Sequence, residues 1–132
     1  MTGKHDDNGP WAKSALRIES AVLSVEEIGR RMGQASTDAK APNCWIVDLE
    51  PDDSLPLNDQ LPAVERFIAA KIDVLEELAP ACEIDLFLGW HPEAGQDGIV
   101  FQPSLIKLLG RIGAVVTLDT YTRSEDDDPP ND

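Results

Sequence analysis

The sequence predicts an α/β (α+β) domain: a mixed, mostly antiparallel sheet of about five strands with three helices, in the order β-α-β-α-β-β-α-β. Three observations predict it. Residues 83–91 alternate, with Ile84, Leu86, Leu88 and Trp90 on one face and Glu83, Asp85, Phe87 and His91 on the other. That period of two marks a strand with one buried and one solvated face. Leu61, Val64, Ile68, Ile72, Leu75 and Leu78 recur at steps of three and four, the spacing of one helical stripe. Residues 103–113 are helical in spacing and end in Gly113, and 114–121 read as a further strand. A ferredoxin-like sandwich, or an elaboration of one with helices mainly on one face, is the simplest architecture for these elements.

Residues 1–13 read as a flexible lead-in, 14–123 as a single α/β domain and 124–132 as an acidic disordered tail. The first strand falls at 15–22, with Leu16 and Ile18 inward and Arg17 and Glu19 outward. Ser24 and Glu27 have capping-box spacing: the Ser24 hydroxyl can accept the Glu27 N–H, and the Glu27 carboxylate can reach back to the Ser24 N–H. The helix they open carries Ile28 and Met32 and stops at Gly33. After a polar loop at 34–43 comes a second strand at 44–50, with Trp45, Val47 and Leu49 on one side. Asn58 or Asp59 caps the longest helix, Pro62 sits in its first turn, and Pro80 ends it. The glycine-containing loop 92–98 leads into a short strand at 99–101, a hairpin with the 83–91 strand. Leu105, Ile106, Leu108, Leu109 and Ile112 fill the last helix. Gly110 inside it costs about 1 kcal/mol against alanine, and close packing on the sheet is the plain explanation. In the last strand either Val116 and Leu118 or Val115 and Thr117 face the core. Periodicity turns Trp45 and Trp90 inward; an exposed tryptophan would instead be a partner-binding anchor.

The Ala15-Leu16-Arg17-Ile18 strand followed by Leu23-Ser24-Val25-Glu26-Glu27-Ile28, the lone Trp45, the long helix ending at Leu78-Ala79-Pro80, and the Pro103-Ser104-Leu105 helix running through Gly113 into Leu118-Asp119-Thr120-Tyr121 form an ordered pattern. In that order they resemble the bacterial proteins of the domain of unknown function family 4279, over residues 15–123. Loop 34–43 departs from the family pattern in being shorter and less basic. The resemblance implies no catalytic residues.

Charge is the compositional outlier: 25 acidic against 11 basic residues give a formal net of −14, and five of the acidic residues lie in 124–132. That sign argues against a nucleic-acid partner, which needs clustered Lys and Arg, and against an anionic membrane surface. It permits a basic protein partner. No apolar run reaches the ~20 residues of a membrane span, and 1–10 lacks the apolar segment of a secretory signal. Cys44 and Cys82 sit beside strand patterns as buried free thiols, so the expected compartment is the cytoplasm.

Chemistry-bearing motifs are sparse. His91 has no companion Cys or His at ligand spacing, and a G-x-S-x-G elbow, a P-loop and a dinucleotide fingerprint are all missing. Asp48, Glu50, Asp52 and Asp53 form an acidic patch without the pattern of a calcium loop. No cofactor and no catalytic set is therefore expected. The expected function is a non-enzymatic protein-binding domain, in its concrete form an immunity- or antitoxin-like inhibitor of a basic toxin, acting as monomer or homodimer. Its candidate contact residues are Asp48, Glu50, Asp52, Asp53, His91 and Glu93. The alternatives are a small-molecule or metal-binding regulatory domain and an enzyme built on carboxylates and His91.

Overall fold

The computed structural model describes residues 11–37, 43–92 and 98–121. Strand β1 (Trp11–Glu19) is central, antiparallel to β2 (Cys44–Asp48) on one side and to β3 (Glu83–His91) on the other. Strand β4 (Val115–Thr120) pairs parallel with β3, which gives the sheet order β2-β1-β3-β4. Four helices complete the described residues: α1 (Val25–Met32), α2 (Leu57–Ala70), α3 (Ile72–Leu78) and α4 (Pro103–Arg111). A single 3-10 turn, Ala79–Ala81, follows α3. No helix among these residues is long and apolar enough to cross a membrane.

The pleat sorts the strands into two faces. Ala12, Leu16, Ile18, Trp45, Val47, Ile84, Leu86, Leu88 and Trp90 join one buried cluster with the apolar stripes of the four helices. Trp45 and Trp90 are thus core residues, as their periodicity predicts. The opposite face, with Arg17, Asp85, Phe87 and Thr117 on it, contributes nothing to that cluster and, among the described residues, carries no helix.

Several expectations are corrected. The sheet has four strands among the described residues, not five, because residues 99–101 pair with no strand. The Asn58 side chain holds that segment instead: its amide donates to the Gly98 carbonyl at 2.8 Å and its carbonyl accepts the Val100 N–H at 2.9 Å. Asn58 is thus a clamp and not a helix cap; the N-cap of α2 is Pro56, with no side-chain bond. The three helices become four because the long stripe breaks at Lys71 (φ −110°, ψ 17°). The break lets α2 stay on β1 while α3 turns against α1.

The first strand starts at Trp11 and not at residue 15. Trp11, Ala12 and Lys13, read as lead-in, pair with His91, Trp90 and Gly89. Nor is the topology a plain ferredoxin-like sandwich. Only β3-α4-β4 makes a parallel crossover. Glu19 lies beside Cys44, so α1 and its loop leave and return at one end of the sheet, and β1 and β2 pair antiparallel. The capping box is half formed: Ser24 Oγ accepts the Glu27 N–H at 3.0 Å, while the Glu27 carboxylate accepts from Arg30 and Arg31. Gly33 and Gly113 end their helices with positive φ, as read from the sequence. Gly110 does not pack on the sheet; an added Cβ there would meet nothing within 4 Å. Of the two readings of β4, the one that turns Val116 and Leu118 to the core side gives the right face, beside Leu86 and Leu88, but both residues are exposed there, as is Val115 on the other face.

One buried polar pair was invisible in the sequence. Ser14 Oγ donates to Gln60 Oε1 at 2.8 Å, and Gln60 Nε2 donates to the carbonyls of Ala12 and Leu55. Both side chains are fully buried, so these bonds satisfy groups that would otherwise cost about 1–3 kcal/mol each. They lock the first turns of α2 onto β1.

Candidate functional site

The helix-free face of the sheet gathers the polar and aromatic side chains that the core excludes. At its centre, Arg17 and Asp85 are direct cross-strand partners. The Arg17 guanidinium donates to Asp85 Oδ2 from Nε at 3.1 Å and from Nη2 at 2.6 Å, and it lies 4.4 Å from the centroid of the Phe87 ring. Thr117 Oγ1 donates to the other oxygen of Asp85 at 2.8 Å, so one carboxylate ties β1, β3 and β4 together.

Towards one end of this face the rings of Trp11, His91 and Tyr121 meet. Trp11 stacks on His91 with centroids 6.2 Å apart and lies 5.0 Å from Tyr121. Gly89 makes room for them, since a Cβ there would sit 3.3 Å from Phe87 and 3.5 Å from Trp11. The Tyr121 hydroxyl donates to Asp119 at 2.7 Å, and that bond to a carboxylate pushes its pKa up. His91 Nδ1 is buried and makes no hydrogen bond among the described residues.

Beside the rings lies a cavity of about 340 Å³, lined by Trp11, Lys13, Asp48, Glu50, Pro51 and Asp53. The Asp53 carbonyl accepts the Ala12 N–H at 2.9 Å, which draws the acidic loop against β1. The structure therefore brings together Asp48, Glu50 and Asp53, and the Trp11 ring links them to His91. Asp52 serves the turn instead. It accepts from both the N–H and the hydroxyl of Ser54, which lowers its pKa, and its own N–H donates to Glu50. Glu93 lies outside the described residues.

Trp11 and Tyr121 are the functional candidates that sequence reasoning missed. Trp11 precedes the recognised strand pattern, and Tyr121 sits just past the last strand. A lone tryptophan flanking an alternating segment was the only signal available. Arg17 and Asp85 alternate correctly in their own strands, but nothing local shows that they face each other.

Other chemistry is thin here. Among the described residues no three His, Cys, Asp or Glu side chains are grouped to hold a metal ion. Cys44 and Cys82 are free, half-buried thiols whose pKa values burial pushes up, the reverse of what an activated thiolate needs. A larger groove of about 580 Å³ runs between α1 and residues 33–36, but it is lined by Val25, Gly29, Arg30, Gln34 and neighbours with no grouped reactive set.

The profile of the family described as Domain of unknown function (DUF4279) matches residues 12–123. The chain belongs to the DUF4279 family. No curated protein and no solved structure matches it. The matched span of this DUF4279 domain begins at Ala12, inside β1, and so takes in the strand pairing that holds the acidic cavity.

Proposed function

We propose that this DUF4279 domain is a protein-binding module that docks a basic partner on the helix-free face of its sheet. The observation that carries this reading is the juxtaposition of the Trp11–His91–Tyr121 rings with the cavity edged by Asp48, Glu50 and Asp53. Aromatic rings supply large rigid contact area, and carboxylates around them select and steer a cationic surface. The formal net charge of −14 adds long-range attraction for such a partner. An inhibitor that caps a basic toxin, in the manner of an immunity or antitoxin protein, is the concrete form.

The test is capture of a partner at low salt, followed by measured affinities. Replacing Asp48, Glu50 and Asp53 together by lysine is expected to weaken binding at least tenfold, mostly through slower association, and Trp11→Ala through faster dissociation. Binding should also fall between low salt and about 0.5 M salt, where screening shortens to a few ångströms. An affinity indifferent to both the triple variant and Trp11→Ala sinks the assignment of this face.

A further inference from the structure

We infer that β4 is a homodimerisation edge: two copies pair antiparallel through Val115–Thr120 and extend the sheet across a two-fold axis. The first observation is how β4 overhangs the core. Val116 and Leu118 stand opposite Leu86 and Leu88 of β3 and on the same face. Leu86 and Leu88 are fully buried, yet Val116 and Leu118 are 41% and 45% exposed, and Val115 on the other face is 60% exposed. The helix layer ends above β3 and leaves an apolar strand uncovered.

The second observation is the contrast between the two edges of the sheet. On the outer side of β2 the Ile46 carbonyl accepts the Thr37 N–H at 2.7 Å, and the Ile46 N–H donates to Ser36 Oγ at 3.0 Å, so that edge is closed. Among the described residues no strand lies beyond β4. Lysine, proline and bulges are the usual guards of a free edge, and residues 115–118 contain no charge and no proline. Met1 is the one large apolar residue in the segments 1–10, 38–42, 93–97 and 122–132.

The third observation selects a second copy as the occupant. Centred on Thr117, an antiparallel self-pairing sets Val116 opposite Leu118 twice and Asp119 opposite Val115. The one carboxylate of the strand never meets its own copy, and same-face parity is kept. An edge of six residues spans about 20 Å. Closing the edge would cover Val115, Val116 and Leu118, the apolar residues that the helix layer leaves exposed. The Asp48, Glu50 and Asp53 cluster proposed for a basic partner stands at the opposite edge of the sheet, beside β2.

Sedimentation velocity of the full chain, from about 10 to 500 µM, tests the inference. The mass should rise from 14.4 kDa towards twice that value with concentration. Higher salt should favour the dimer, because it screens repulsion between two chains of net charge −14. That sign is opposite to the salt effect on a basic partner, so the two readings fail separately. Leu118→Lys should raise the dimer Kd at least tenfold with an unchanged circular dichroism spectrum. Thr117→Cys should give an intermolecular disulfide that the parent chain, with Cys44 and Cys82 alone, does not form; this readout decides the matter if Leu118→Lys does not fold. A mass of 14.4 kDa at every concentration and salt overturns the inference and leaves the edge to a strand of another protein. So does a dimer that folded Leu118→Lys and Val116→Lys leave intact.

Discussion

Two glycines show how one residue type serves opposite ends. Gly29 lies where α1 approaches the loop that follows it: an added Cβ would sit 3.0 Å from the Gln34 carbonyl and 3.3 Å from Trp45 Nε1. Those two groups are bonded to each other at 2.9 Å, so the glycine guards the only hydrogen bond of a fully buried indole. Gly110 has open space around it and ordinary helical backbone. Gly29→Ala should therefore destabilise the fold by about 1–3 kcal/mol through overpacking. Gly110→Ala should stabilise it by about 0.5–1 kcal/mol through helix propensity. Urea denaturation of both variants checks the contrast, and equal effects of one sign would refute it. Sequence pattern singles out Gly110 and not Gly29, because the contact of Gly29 with Trp45 spans 16 positions that no local pattern connects.

At the scale of elements, α1 is the one held by its own local chemistry. Ser24 caps it, Glu26 and Glu27 occupy its first turn, Arg30 and Arg31 its last, and Gly33 terminates it. The two arginines bonded to the Glu27 carboxylate hold its pKa down to about 2 from an ordinary 4.5. A depressed carboxylate contributes stability that is complete above its unfolded value and disappears as pH falls through its folded one. Stability should thus stay level down to about pH 5 and fall between pH 4.5 and 2. Glu27→Gln should flatten that acid limb, which urea midpoints across pH would reveal; an unaltered limb would place the titration elsewhere. Elements without such local devices were harder to read. The α2–α3 break at Lys71 has no Gly or Pro to announce it, and residues 99–101 resemble a strand in composition yet are held by Asn58. Strand β4 reads as an inward strand because its apolar residues were assumed to have cover, and the helix layer stops short of it.

For the whole molecule the acidic excess is the controlling quantity. A net charge of −14 on 132 residues repels itself in the compact state, and added salt relieves that repulsion. The melting temperature should rise by about 2–5 °C between low salt and 0.2 M sodium chloride. A fall, read by calorimetry, would mean that the ion pairs Arg17–Asp85 and Arg111–Glu76 outweigh the global term. The candidate site shows the same division of labour. Asp48, Glu50 and Asp53 were legible as an acidic cluster because they are neighbours in the chain. Trp11 and Tyr121, which complete the surface, come from opposite ends of the described residues and meet only through β3. By itself the sequence determined which face of β1, β2 and β3 is buried, where α1 and α4 stop, and that the domain mixes sheet and helix. Those properties follow from side-chain period and backbone conformation within a few residues. Only the tertiary structure decided the strand order, the Arg17–Asp85 register, the ring cluster at Trp11 and the bare edge at β4. Each depends on which distant segments pack together, and that choice is made by the free energy of the assembled core, not by any single stretch of chain.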